Sequence, residues 1–415
     1  MIDKLRNIYN EFPKKFWILV AAAFVDRVGG TMIFPFFALY ITQRFNVGMT
    51  QAGVLLGMFH ISGLFGSIIG GALADRFGRK WMVLFGLVFS ALSAVSMGLV
   101  NELWIFYILA ILVGSLSDIA GPAWQAMIAD ILPENKRTEG FGVMRVVGNM
   151  AWIVGPTIGG LMASRSYLLL FIFDAICSLI TAAIIYRMIP ETKPATDQEQ
   201  EKPESIVGTI IGYRKVFADK LFIAYIAASM LMTIVYIQMY NSLSVYLRDV
   251  HGISTQQYGF LLSSSAITVI LCQFWVSRRV KNYSPMLMMA LGSAFYMVGF
   301  SMFGLVSAYF LFISAIILIT IGEMVVMPVS QALAAKFAPE DMRGRYMAVF
   351  GLSWALPATI GPAAAGVILD NYNPNLVWYA GGLICMVAAG SFLLLHQVTQ
   401  NRLEALPKEE LVPAD

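Results

Sequence analysis

Five charged residues stand inside long apolar stretches of this 415-residue chain. They are Asp26, Arg27, Asp118, Arg145 and Glu323. Such residues are costly in an apolar environment unless each faces water or a partner. Burial disfavours an ionised carboxylate and a nearby arginine favours it, so an acid that alternates between water and an arginine can load and release a proton. The chemistry indicated is reversible proton binding.

The five residues differ in the partners that we expect for them. Asp26 is predicted to accept protons beside Arg27 or Arg145, and a purely structural Asp26–Arg145 ion pair is the alternative. Neighbours on a helix point about 100° apart, so Asp26 and Arg27 each need their own partner. Glu323 is predicted to couple to a proton or a substrate, against a buried structural hydrogen bond. Two further residues in apolar runs are predicted to be structural, namely Asp174 and His60.

The composition of the chain requires a membrane around these residues. Hydrophobic residues make up 58% and charged residues 13% of the sequence, with a mean hydropathy of +0.72, which excludes a water-soluble domain. About 20 apolar residues are enough to cross a bilayer as a helix. We therefore predict an all-α membrane protein with twelve transmembrane helices at 16–42, 50–74, 81–99, 103–130, 140–163, 167–190, 220–247, 256–277, 285–306, 309–336, 345–370 and 375–397.

Lysine and arginine crowd one set of the loops between these spans, as at Arg76 to Lys80 and Arg278 to Lys281. The positive-inside rule then predicts a multi-pass protein of the cell membrane with both termini in the cytoplasm. The predicted domains are an N-terminal six-helix bundle over 1–190, a cytoplasmic linker over 191–219, a C-terminal six-helix bundle over 220–400 and a cytoplasmic tail over 401–415. The linker is expected to end in an amphipathic helix on the membrane surface, or else in a frayed start of the seventh span.

An internal repeat relates the two bundles. Seven residues of the first half recur 206 positions later, as Tyr40 does at Tyr246 and Gly155 at Gly361; the other pairs are Gly53 and Gly259, Gln125 and Gln331, Pro133 and Pro339, Arg137 and Arg343, and Pro156 and Pro362. A constant offset over about five helices indicates two parallel structural repeats, as in transporters whose halves rock about a central site.

One loop carries the signature of a known family. The run from Gly71 to Lys80 resembles the loop motif of the major facilitator superfamily through Gly71, Asp75, Arg76, Gly78, Arg79 and Lys80. The resemblance implies a gating contact that holds the outward-facing state and breaks when the protein switches. The repeat mate of Asp75 is Lys281, so this gate is not duplicated.

Two further segments resemble the multidrug–proton antiporter branch of the same superfamily. The first is the glycine-rich segment with Gly155, Pro156, Gly159 and Gly160, in which small residues allow close helix packing and proline kinks the helix. The second is the run that begins at Gly322-Glu323. The sequence departs from many drug exporters at Ala110, where an arginine is common in the fourth span.

Aromatic and polar residues are expected to line a cavity that opens to each side in turn. The candidates are Phe34, Phe37, Tyr40, Trp124, Asn149, Trp152, Tyr236, Met239, Tyr240, Asn241 and Gln331. Aromatic faces attract cationic ligands and methionine adapts its shape. Lipid-facing or interfacial anchoring of the aromatic residues is the alternative.

Together these features predict proton-coupled efflux of small amphipathic compounds, with the proton gradient as the energy source and without a cofactor. The predicted partners are the substrate, protons and the lipid bilayer; the protein is predicted to be a monomer without a nucleic-acid partner. Export or flipping of a lipid or a specific metabolite is the alternative. An enzyme is disfavoured because no metal spacing, nucleophile elbow or phosphate loop is present, and a channel would need neither the repeat nor the one-sided gate.

Overall fold

The computed structural model describes residues 9, 11–117, 119–193, 206–339 and 342–404. Within these ranges the regular elements are all helical. The α-helices are α1 (Lys14–Ile33), α2 (Phe37–Arg44), α3 (Met49–Phe77), α4 (Arg79–Leu99), α5 (Leu103–Ser117), α6 (Ala120–Ile131), α7 (Arg137–Ala163), α8 (Tyr167–Met188), α9 (Ile206–Ala218), α10 (Lys220–Tyr236), α11 (Ser242–His251), α12 (Thr255–Val280), α13 (Pro285–Leu305), α14 (Tyr309–Phe337), α15 (Arg343–Asn371) and α16 (Leu376–Glu404).

Eleven helical stretches in the described ranges are long and apolar enough to cross a membrane. They correspond to the predicted spans, except that the second is not among the eleven; that segment is the 29-residue helix α3. The all-helical, multi-pass membrane architecture is therefore confirmed. The total of twelve spans stays a prediction, and Asp118, between α5 and α6, lies outside the described residues.

The first and seventh predicted spans are both broken near their middle. A 3-10 turn over Phe34–Phe36 separates α1 from α2, and another over Ile237–Met239 separates α10 from α11. Pro35 explains the first break, because proline lacks the backbone N–H that a continuous helix would use. Broken helices that lie in corresponding positions of two repeats are typical of transporter binding sites.

The chain divides into two compact units that do not follow the halves of the sequence. Unit 1 consists of Met1–Glu199, Ile237–Ile267 and Ala358–Pro374, and unit 2 consists of Gln200–Tyr236, Thr268–Pro357 and Asn375–Asp415. Unit 1 thus joins the first half to end segments of helices from the second. The division into two six-helix bundles stays a prediction.

The helices of unit 1 end at two opposite edges. We call the helix ends next to Arg79, Asp130 and Arg137 the basic edge, and the ends next to Met49, Thr255 and Asn371 the opposite edge. Buried apolar side chains from α1, α4, α6, α7 and α8 form a core toward the basic edge, with Phe16, Val83 and Met127 among them. In unit 2, a comparable core stacks Tyr225 on Phe337 with their ring centroids 5.6 Å apart.

The predicted helix after the linker forms as α9 (Ile206–Ala218). It leads into α10 through Asp219, whose carboxylate accepts hydrogen bonds from the Phe222 backbone N–H and from the Tyr346 hydroxyl. The linker residues before it, 194–205, lie outside the described residues. Contact of α9 with a membrane surface stays a prediction.

Candidate functional site

The loop with the family motif lies at the basic edge and is anchored through Arg79 at the start of α4. Its guanidinium forms an ion pair with Asp130 at the end of α6 and donates to the backbone carbonyl of Ala126 at 3.4 Å. Lys80 donates to the carbonyl of Tyr186 on α8 at 2.8 Å and lies over the Tyr186 ring. The loop therefore links α4 to the ends of α6 and α8. The surroundings of Gly71 and the side chain of Asp75 lie outside the described part of the structure.

A glutamate that follows α8 closes the same loop. The Oε1 atom of Glu191 accepts backbone hydrogen bonds from Arg79 at 2.9 Å, Lys80 at 3.3 Å, Thr192 at 2.9 Å and Lys193 at 3.1 Å. Two of these donors belong to the first turn of α4, whose free N–H groups and positive dipole end attract a carboxylate. Gly78 precedes them with a φ of +97°, a conformation that favours glycine.

These contacts give a prediction about pH. Partial burial alone would raise the pKa of Glu191, but the four backbone donors outweigh it and hold the pKa below its ordinary value of 4.5. Its stabilising contribution is therefore complete above pH 4.5 and is lost as the pH falls through the lower folded value. Glu191→Gln is expected to destabilise the protein by about 1 kcal/mol at neutral pH, a value reduced for solvent screening.

The measurement is the apparent melting temperature of the detergent-solubilised protein and of the variant between neutral and acidic pH. The difference between them should shrink as the pH falls. A difference that is the same at every pH would show that the charge of Glu191 is not what stabilises the loop.

At the opposite edge, the glycine-rich segment of α7 packs against two helices. A Cβ atom added at Gly159 would lie 2.6 Å from the Met32 carbonyl oxygen of α1. One added at Gly160 would lie 2.9 Å from the Cα atom of Gly259 on α12. The Thr157 and Ser263 hydroxyls hydrogen-bond each other at 2.9 Å along the same seam. The glycine-rich segment, which the sequence predicted to allow close helix packing, therefore brings α7 into close contact with α1 and α12.

The repeat appears in the structure as a reciprocal pair of contacts. Gly259 of α12 packs against Pro156 and Gly160 of α7, and its mate Gly53 of α3 packs against the backbone of Pro362 and Ala363 of α15. Each contact joins a helix of one repeat to a helix of the other. The side chains of one mated pair also meet directly, since Arg248 Nη1 donates to Thr42 Oγ1 at 2.9 Å. Within unit 1, the two repeats are in contact at the opposite edge.

Asp370 at the end of α15 adds a polar contact to this edge. Its carboxylate accepts from the backbone N–H groups of Met49 at 2.8 Å and Thr50 at 2.7 Å, and from the Thr50 hydroxyl at 2.6 Å. It thereby caps the N-terminus of α3 from another helix.

Asp370→Asn is expected to weaken this closure, because the amide lacks the charge that the helix dipole attracts. Loss of a charge next to a helix N-terminus costs about 0.3–1 kcal/mol, which corresponds to about two- to fivefold in the equilibrium between closed and open forms of the opposite edge. The native cysteines are replaced and a single cysteine is introduced at Ser264. The measurement is the rate at which a membrane-impermeant maleimide labels this cysteine. Asn371→Asp next to it is the control; an unchanged rate for Asp370→Asn would contradict the expectation.

The charged residues of α1 lie deep in unit 1. Asp26 is about 18 Å from the start of the helix, and its Oδ1 accepts a hydrogen bond from the Ser178 hydroxyl of α8 at 3.2 Å. Arg27 extends instead toward Gly148 of α7. The described hydrogen bond of Asp26 is thus made with α8, whereas Arg145 lies on α7. The proton-binding roles of both residues stay predictions.

Glu323 lies at the centre of α14, about 21 Å from each end. The hydroxyl of Tyr236, on α10, donates a hydrogen bond to its carboxylate. Tyr236 stacks on Tyr296 of α13, with centroids 5.4 Å apart, and meets Trp354 of α15 edge-on at 5.9 Å. In unit 2, Tyr236 therefore links the Glu323 carboxylate to aromatic rings of α13 and α15.

Three of the predicted cavity residues form a cluster in unit 1. The Trp152 and Tyr240 rings are 5.1 Å apart, and Phe34 packs edge-on against Trp152 at 5.7 Å. Trp152 is 37% exposed. The cluster therefore brings residues at or next to the two 3-10 turns into contact with α7.

The other predicted wall residues take different places. Tyr40 is buried, with its hydroxyl donating to the Met97 carbonyl at 2.6 Å. Asn241 is 1% exposed, and its amide donates to the Ile237 carbonyl. Their roles in a cavity stay predictions. Trp124 packs on the core near the basic edge. Asn149 and Gln331 are exposed, and His60 is partly buried on α3.

The described residues define a class of protein: a polytopic helical membrane protein built from two related repeats, with acids inside its helices. Within the described ranges, no group of three or more His, Cys, Asp or Glu residues is arranged to hold a metal ion.

Comparison with known proteins shows the family. The family described as the Major Facilitator Superfamily matches residues 19–362 and 239–413. The chain therefore belongs to the Major Facilitator Superfamily, whose members are transporters of small substrates and not enzymes.

Similar curated proteins cover almost the whole chain. A Na(+), Li(+), K(+)/H(+) antiporter of Planococcus maritimus is 26% identical over 88% of this chain and 89% of its own length. The uncharacterized transporter YttB of Bacillus subtilis is 27% identical over 92% and 95%. The multidrug resistance protein MdtH of Shigella dysenteriae is 23% identical over 89% and 91%.

Solved structures share the fold at lower identity. The nucleoside transporter NupG superposes with a TM-score of 0.79 at 14% identity, covering 92% of this chain and 99% of its own. A POT family transporter superposes with a TM-score of 0.76 at 16% identity, covering 94% and 97%. These likenesses establish the fold.

Two contacts at the basic edge were not predicted from the sequence. Asp130 and Glu191 are acids beside the basic loops, and only the arginines and lysines there entered the prediction. An acid at the end of a span or immediately after it, on the side rich in Lys and Arg, is the signal that would have found both.

Proposed function

We propose that the protein is a proton-coupled antiporter that exports small amphipathic compounds by alternating access. It has twelve spanning helices in two six-helix bundles, acts as a monomer in the cell membrane with both termini in the cytoplasm, and uses the proton gradient without a cofactor. The observation that carries the proposal is the position of Glu323, an acid at the centre of an apolar helix. Its carboxylate accepts a hydrogen bond from Tyr236, which itself packs against Tyr296 and Trp354.

The chemistry of this site supports coupling. An ionised carboxylate in an apolar surrounding is costly, and binding of either a proton or a cationic compound removes that cost. The two ligands therefore compete for one acid, which is the requirement for exchange. The Tyr236 hydrogen bond keeps the carboxylate in one orientation in either state.

The contacts at the opposite edge support alternating access. In unit 1, the close helix contacts at the glycines and the hydrogen bonds of Asp370 hold the two repeats together at that edge. These contacts can break while each repeat stays folded, because they join intact helices through small contact areas. The partly exposed cluster of Phe34, Trp152 and Tyr240 supports an aromatic wall that accepts amphipathic cations.

Exchange of monovalent metal cations for protons is the second candidate. It is favoured by the likeness to the Planococcus maritimus antiporter at 26% identity. Export of amphipathic compounds is favoured by the likeness to MdtH at 23% identity.

The test is proton flux in liposomes that contain the purified protein and an internal pH dye. An imposed proton gradient should be dissipated when an amphipathic cation such as tetraphenylphosphonium is added, and not by a neutral polar solute. Dissipation by Na⁺, Li⁺ or K⁺ alone would support cation exchange instead. If none of these compounds moves protons, proton coupling is wrong.

A further inference from the structure

Asp174 of α8 lies beside Asp26 of α1, where the two antiparallel helices meet. Along this contact Thr181 Oγ1 donates to the Ala22 carbonyl at 3.2 Å, and Ser178 Oγ donates to Asp26 Oδ1 at 3.2 Å. One turn further, Asp174 Oδ1 lies 2.6 Å from the position that a Cβ atom on Gly29 would occupy. The two carboxyl groups are therefore staggered by about one turn, roughly 5 Å along the helix axis.

The side chain of Asp174 is largely removed from solvent. The residue is 8% exposed, and among the described residues it has neither a hydrogen-bond donor nor a cation. The absence of a side chain at Gly29 provides the space that this carboxyl group fills. An ionised carboxylate without a partner is costly away from water, so a purely structural role would be better filled by an apolar residue or by serine.

The charged and titratable groups around the pair leave its charge only partly compensated. Arg27 acts electrostatically on Asp26, but its guanidinium lies toward Gly148 of α7. The Cys177 thiol lies near both carboxyl groups and carries no charge when protonated. Arg145 lies about 12 Å from the start of α7, one turn from Gly148. The other charged residues of α1, α4, α6, α7 and α8 lie toward the basic edge, namely Lys14, Lys15, Arg79, Lys80, Asp130, Arg137, Glu139 and Arg187.

We propose that Asp26 and Asp174 together bind one exchangeable proton, at a site in unit 1 separate from Glu323 in unit 2. Two neighbouring carboxylates in an apolar surrounding repel each other, and one proton on either carboxyl removes that repulsion. Asp26 is partly exposed and Asp174 enclosed. Asp26 is therefore the member through which the proton enters and leaves, and Asp174 is the member that makes its binding favourable.

The test uses infrared difference spectra of the purified protein recorded against pH, which report the carbonyl stretch of protonated carboxyl groups. Because one proton is shared, Asp26→Asn and Asp174→Asn should each remove the same band, and the double variant should remove no more. Glu323→Gln should remove a separate band. Losses that add in the double variant, or an unchanged spectrum in Asp174→Asn, would overturn the proposal.

Two controls keep the result interpretable. Asp174→Glu retains an acid and should restore the band, which separates loss of the proton site from loss of the fold. In liposomes, Asp174→Asn should also reduce the number of protons moved for each substrate; only this second measurement rests on the proposed function. If the shared band is present but no compound moves protons in the unmodified protein, the proposed function fails and the proton site stands.

Discussion

Replacing Glu323 with Gln is expected to abolish proton-driven transport while leaving the fold intact. The glutamine amide oxygen can still accept the hydrogen bond from Tyr236, and the side chain has nearly the same size, so the packing of α10, α13, α14 and α15 around it is retained. What is lost is the ability to bind and release a proton. Loss of such an acid–base group costs on the order of 100-fold or more in rate.

The measurement is uptake of a labelled amphipathic cation into inside-out liposomes under an imposed proton gradient. Tyr236→Phe is the matched control, because it removes the hydrogen bond and keeps the acid. One hydrogen bond is worth about 1 kcal/mol, so this variant should lose no more than about tenfold. Equal exchange of labelled for unlabelled substrate without a gradient should persist in Glu323→Gln. Undiminished proton-driven uptake in that variant would remove Glu323 from the mechanism.

Gly160→Val is expected to hold the opposite edge open and to stop transport. The added Cβ atom would lie 2.9 Å from the Cα atom of Gly259, a backbone atom that cannot rotate away. The helices α7 and α12 must then separate at this point. Overpacking of this kind costs about 1–3 kcal/mol, and here the cost falls only on the state in which the edge is closed. The equilibrium should therefore shift by about 5- to 150-fold toward the open edge.

A matched control lies on the same helix. A Cβ atom at Gly142 of α7 meets no atom within 4 Å, so Gly142→Val changes the helix propensity equally without the clash. Maleimide labelling of a cysteine at Ser263 should accelerate in Gly160→Val and remain at the unmodified rate in Gly142→Val. Identical labelling in both variants would mean that the glycine contact does not control closure.

The sequence by itself determined the membrane character, the helical spans and the repeat. These properties depend on local composition and on spacing along one chain: an apolar run of sufficient length must be helical in lipid, because its backbone groups have no other partners. The 206-residue offset also predicted which glycines correspond. It could not show that Gly259 and Gly53 pack against the helices of the other repeat, because that depends on how distant helices meet.

Tertiary structure alone decided which charged residues share a site. The sequence predicted Asp26 to accept protons beside Arg27 or Arg145 and Asp174 to be structural. It could not show that the antiparallel contact of α1 and α8 places the two acids one turn apart. In the same way, Asp130 and Glu191 contact Arg79 across gaps of many residues. Helix periodicity indicates which residues share a face of one helix, but the axial offset between two helices depends on side-chain packing along their whole contact. A one-turn difference in that offset would separate Asp26 from Asp174.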